Sequence, residues 1–82
     1  MTYDGPLPAI RRLKKLAEWS GPFPMKSHTM VIGAERFGFD ESTVEFLRLF
    51  SPDTVFQDRK DFLCKCASLE TTIRAGRILQ YS

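Results

Sequence analysis

Ser27-His28-Thr29-Met30-Val31-Ile32-Gly33-Ala34-Glu35-Arg36-Phe37-Gly38 decides the fold class, because it reads two ways. Thr29-Met30-Val31-Ile32 is rich in β-branched residues and ends at a glycine, which suits a short strand. Met30, Val31, Ala34 and Phe37 recur at three- and four-residue spacing, which suits a helix with those four on its buried stripe. The periodicity continues through Ala34 and Phe37, beyond the β-branched run, so helix is the preferred reading. Ser27 is placed to cap its start. Gly38 is placed to close it, since glycine readily takes the left-handed conformation that follows a helix's last turn.

Downstream, Asp40 caps a third helix whose inner side carries Val44, Leu47 and Phe50, and Ser51-Pro52-Asp53 ends it. Thr54-Val55-Phe56 reads as an extended bridge or a very short strand. Asp58 and Asp61 form a capping pair for a fourth helix, from Arg59 to about Ala75, with Phe62, Cys66, Leu69 and Ile73 inward and Gly76 as its stop. Upstream, Ser20-Gly21-Pro22-Phe23-Pro24 breaks the chain. Before that break lies the clearest amphipathic segment, Ala9 to Trp19, with Pro8 suited to its first turn. Ile10, Leu13, Leu16 and Ala17 share one face; Arg11, Arg12, Lys14, Lys15 and Glu18 occupy the other. The expectation is an all-α fold: a compact bundle of about four short helices with a very short extended segment near 54–56. Residues 1–7 are an N-terminal loop, 8–76 a single helical domain, and 77–82 a tail whose Ile78, Leu79 and Tyr81 dock or fray.

Composition is consistent with that outline. The 82 residues have room for one domain. Seven Phe, two Tyr and one Trp argue against disorder, because a disordered chain lacks the apolar area that offsets chain entropy. A net charge of +2 is too balanced to make the whole chain a nucleic-acid binder. No apolar run reaches the roughly 18–20 residues of a membrane span, and the N-terminus lacks a signal-peptide pattern. Cys64 and Cys66, two positions apart, cannot staple a long loop. A reducing, cytoplasmic setting is expected.

Phe23 to Phe62 is similar to a family of small bacterial proteins, domain-of-unknown-function family 2795. The likeness rests on Pro24 before a helix with Val31 and Ala34, then Gly38, then Asp40 opening a helix with Val44 and Leu47. Pro52-Asp53, Phe56, Asp58 and Asp61-Phe62 complete it. Ser51 stands where a Leu is usual, and Thr54-Val55 replaces a charged pair. The resemblance implies a small α-helical module and brings no activity with it.

Clusters that could carry chemistry are sparse. His28 is the only histidine, and its neighbours Ser27 and Thr29 on a helix cannot converge with it as a nucleophile–base set must. Cys64-Lys65-Cys66 is half a zinc site with the wrong spacing, and residues two apart on a helix diverge by about 200°. Cys66 therefore reads as core and Cys64 as flanking. Capping accounts for Asp58 and Asp61 more simply than a cation does. No glycine pattern forms a phosphate cradle. The reading is no enzyme, no metal, no cofactor and no evident small-molecule substrate.

Two surfaces remain. Ala34, Gly38, Val44 and Leu47 are spaced as in a helix-turn-helix, but its second helix would present Asp40, Glu41 and Glu45, which oppose a phosphate backbone. The basic surface is Arg11, Arg12, Lys14 and Lys15, whose bland alternative is a solvated helix face. Seven Phe between positions 23 and 62 strain a small core, and Phe39 at a turn and Phe46 on the outer side of the third helix are the candidates left outside. We therefore expect a protein-interaction or self-association module using Phe39, Glu41, Glu45 and Phe46. The alternative is a nucleic-acid-binding helix-turn-helix over 34–48 assisted by the basic first helix.

Overall fold

A computed structural model describes residues 6–76. Four helices run in chain order: α1 (Ile10–Trp19), α2 (Ser27–Arg36), α3 (Glu41–Leu47) and α4 (Arg59–Arg74). Two dipeptide strands, β1 (Met25–Lys26) and β2 (Val55–Phe56), pair antiparallel with Met25 opposite Phe56 and Lys26 opposite Val55. The fold is thus helical, as expected, with a minimal ribbon. The extended segment expected near 54–56 is β2, whereas its partner β1 has no counterpart in the sequence reading. Most of the loop assigned to 1–7, and all of the tail assigned to 77–82, lie outside the described residues.

The ambiguous segment is helix. Met30 is 1% exposed and Ile32 is 44% exposed, so two residues that a strand would put on one face point opposite ways. Met30 and Ala34, four apart, are its buried stripe together with Ser27. Ser27 is not the cap: Lys26 holds that position, and Ser27 is the first helical residue, its N–H donating to the Thr54 carbonyl at 2.8 Å. The adjoining His28 N–H reaches the Pro52 carbonyl, so the ribbon continues directly into the helix. At the other end the Gly38 N–H bonds the Glu35 carbonyl and the Phe39 N–H bonds the Ala34 carbonyl, the paired bonds of a Schellman turn. Gly38 has φ +80°, which only glycine adopts at little cost.

α1 packs on α4 and α2 on α3, with the ribbon between the pairs. Leu13, Leu16 and Ala17 form the buried stripe of α1, and Phe62 and Cys66 that of α4. Arg59 Nε donates to the Ala17 carbonyl at 2.9 Å, tying the start of α4 to the end of α1. Asp58 caps α4 by accepting from the Asp61 N–H at 2.7 Å, and the Asp61 carboxylate accepts in turn from the Gln57 N–H. Gly76 follows the last helical turn, as expected. Phe46, Phe50, Phe56 and Phe62 meet edge to face at centroid distances of 6.2, 5.2 and 4.9 Å. This file of rings links α3, the following loop, β2 and α4.

Three residues depart from the expected pattern. Ile10 is exposed because it is the first residue of α1, where the neighbouring turn that would cover it is missing. Phe37 is exposed because α2 ends at Arg36, so the helical stripe stops at Ala34. Phe46 is fully buried, contrary to its expected place on an outer surface. The seven-residue α3 is covered on two sides: Val44 and Leu47 occupy one stripe, Thr43 and Phe46 the adjoining one, and all four are buried.

Candidate functional site

On the outer side of α3 stand Glu41 and Glu45, with Arg48 just past its last residue, at i, i+4 and i+7. With Glu35, Phe39 and Val44 they line a shallow groove of about 310 Å³. Three of the four residues expected to form an interaction surface (Phe39, Glu41 and Glu45) are therefore brought together, while Phe46 belongs to the core. Arg48 is ion-paired with Glu35 across the α2–α3 turn. Glu41 and Glu45 have no ion-pair partner among the described residues.

A larger groove, about 630 Å³, lies between α1 and the α2–α3 turn. Arg11, Arg12 and Lys15 line it from the basic helix, together with Trp19, Phe37, Phe39 and Asp40. Lys14 is exposed but outside this lining. Arg11, Lys15 and Trp19 are spaced i, i+4, i+8 and so stand in one row along α1. Trp19 and Phe37 touch, their centroids 4.8 Å apart at 55°, yet they are 55% and 56% exposed. The sequence reading places Phe37 on a buried stripe and gives Trp19 no surface role. The i, i+4, i+8 row could have flagged Trp19, whereas Phe37 follows from where α2 stops.

Asp40 fixes the wall of this groove. It occupies the N-cap position of α3, but its carboxylate accepts from side chains: Ser42 Oγ, Thr43 Oγ1 at 2.7 Å, and Arg12 Nη1 at 2.7 Å. The Ser42 and Thr43 hydroxyls, with help from Arg12, hold its carboxyl down to about 2. Asp40 thus ties α3 to α1 and occupies Arg12, one of the cations of the basic helix. Arg11, Lys14 and Lys15 have no ion-pair partner among the described residues.

Elsewhere the chemistry is structural. His28 is exposed at the start of α2, with Val31, Ile32 and Phe50 among its groove neighbours. Cys66 is buried and burial pushes its thiol up to about 12, with Glu70 adding to the shift, so it stays a protonated core residue. Cys64 is exposed. Asp61 is held below the usual carboxylate range by the Gln57 N–H and then by Lys65, which also donates to the Val55 carbonyl. Among the described residues no three His, Cys, Asp or Glu side chains gather as a metal site requires. Likewise, no helix among them is long and apolar enough to cross a membrane.

No family model, no curated protein and no solved structure matches this chain.

Proposed function

We propose that this chain is a small protein-interaction module that docks its partner on the groove of Arg11, Lys15, Trp19, Phe37 and Phe39. The observation that carries the reading is the Trp19–Phe37 pair, two large rings in contact with each other and each more than half in water. A full ring buries about 150–250 Å², so covering the exposed halves removes about 200 Å² of apolar surface, a gross gain of about 5 kcal/mol. Association costs about 4–15 kcal/mol. The rings can therefore anchor a partner but not hold it alone, and Arg11 and Lys15 supply the remainder against carboxylates. The partner surface is an apolar anchor flanked by acidic groups, held in a transient, salt-sensitive contact.

Trp19 is the only tryptophan, so its emission reports on this groove without a label. A glutamate-rich peptide with a central Phe should shift that emission to the blue. Phe37→Ala should weaken binding by roughly tenfold, the scale of one anchor residue at an interface. The same peptide with Gln in place of Glu should bind more weakly. Unchanged emission up to millimolar peptide counts against the reading.

One observation favours a second reading, nucleic-acid binding: rings beside unpaired cations can stack bases, at about 1–3 kcal/mol per base. Against it, a helix-turn-helix docking would bring Glu41 and Glu45 of α3 to the duplex first. A single-stranded oligothymidylate titrated at low salt separates the two, because base stacking quenches Trp19 and the response falls steeply with salt. We place the module in the cytoplasm, where an exposed free thiol such as Cys64 persists. Kinship of residues 23–62 with domain-of-unknown-function family 2795 belongs to the same proposal; it accounts for scaffold positions such as Gly38, Asp40 and Asp58.

A further inference from the structure

The two grooves share a residue. Phe39 lines both, with the cationic row of α1 on one side and the acidic outer side of α3 on the other. Arg12 is paired with Asp40 and Arg48 with Glu35, so four lining charges are left without ion-pair partners among the described residues: Arg11 and Lys15, Glu41 and Glu45. They balance, two against two. Each pair is spaced i, i+4 on its helix, which sets its charges about 6 Å apart along the axis. A surface that is cationic at one end, acidic at the other and aromatic between is complementary to itself when turned about a two-fold axis.

We infer that the partner is a second copy of this chain, related by a two-fold axis near Phe39, with Arg11 and Lys15 of each protomer against Glu41 and Glu45 of the other. The inference rests on the proposed reading of the groove as a docking surface and names what docks there. The Trp19–Phe37 pair lies beside the cationic row and is covered as the protomers close. Because the ion pairs lie toward the rim, the dimer loosens as salt shortens the reach of exposed charges.

Charge reversal tests this. Arg11→Glu with Lys15→Glu makes both ends of the surface acidic; Glu41→Lys with Glu45→Lys makes both ends basic. In sedimentation equilibrium at low salt, from micromolar to millimolar protein, the native chain should climb from 9.4 kDa toward twice that mass. Each variant alone should stay monomeric, and an equimolar mixture should regain the dimer, since both ends of the contact again join opposite charges. Glu45→Lys alone, beyond the first turn of α3, stands in should the double change unsettle that helix, and it should weaken self-association of the otherwise native chain. A native chain monomeric throughout, a mixture of folded variants that stays apart, or a mass rising past two protomers each overturns the inference. If the chain is monomeric while Trp19 still responds to the glutamate-rich peptide, the docking surface stands and its occupant is another protein. If both experiments are silent, the two readings fall together.

Discussion

The phenyl rings of Phe46, Phe50, Phe56 and Phe62 pass through the interior edge to face, while Trp19 and Phe37 meet at a similar distance on the outside. Ring chemistry does not separate the two groups; position on the backbone does. Phe56 sits on a strand that pairs with β1, and Phe46 and Phe62 sit on helix faces covered by other elements. Trp19 is the last residue of α1 and Phe37 the residue just past the end of α2, so both stand at helix ends, where the covering turn is missing. The inner file holds the elements together. The outer pair bridges the ends of α1 and α2 outside the core and leaves more than half of each ring available to a partner. That contrast can be broken by substitution on either side of it.

Removing a ring from the inner file should have the largest effect. Phe62→Ala leaves a cavity beside Phe56 in a fully buried site, which costs about 3–5 kcal/mol. A domain of 82 residues has total stability on the order of 4–12 kcal/mol. The expected outcome is a urea midpoint moved to a small fraction of the native value, or a chain unfolded without denaturant. A loss below about 1 kcal/mol, the range of partly covered sites, would show that the file is not a shared core.

Next in size is the lock between the two regions. Asp40→Ala leaves the fully buried Thr43 hydroxyl without its acceptor, at a cost of about 1–3 kcal/mol, and frees Arg12. The same carboxylate gives a pH signature. Its pKa is lowered from 3.8 to about 2, so the charged form is favoured in the folded state. Its contribution is therefore complete above pH 3.8 and disappears as pH falls through about 2. The side chain is one-third exposed, so solvent screening limits the pH-dependent part to on the order of 1 kcal/mol. Urea unfolding of the native chain and of Asp40→Asn should converge as pH drops across that window. Curves that stay parallel would place the carboxylate's stabilisation elsewhere.

Much of this contrast was legible in the residues, and the remainder was not for identifiable reasons. Leu13, Leu16 and Ala17, Met30 and Ala34, and Phe62 and Cys66 follow helical spacing inside long elements, where each residue has neighbours a turn away on both sides. Gly38 and Gly76 follow from a conformation few other residues accept. Phe46 misled because a helical wheel assumes one covered face, and a seven-residue helix wedged between α2 and the ring file has two. Phe37 misled because the spacing rule assumes that the helix continues. β1 is two residues long, too short for any period, and exists through its register with β2. At the site, the cations of α1 were visible as a row but indistinguishable from a solvated face. What turns them into a groove is Phe37, eighteen positions beyond Trp19, and that meeting depends on how α1 and the α2–α3 turn pack.

The smallest expected change in stability lies on the outer pair and sharpens the comparison most. Phe37 is 56% exposed, follows the last residue of α2, and its N–H bond to the Gly33 carbonyl is made by the backbone. Phe37→Ala keeps that bond and loses one partly solvated ring contact with Trp19, so unfolding should shift by no more than about 0.5 kcal/mol, the usual range for surface changes. Two rings that rest on each other at the surface contribute little to the fold, because more than half of each stays in water when the chain is folded. A near-silent urea curve together with loss of the Trp19 response to an acidic peptide would separate docking from folding at one residue. A shift of 2 kcal/mol or more, the order of a buried side chain, would instead make the pair an outlying part of the core and remove the reason to seek a partner for it.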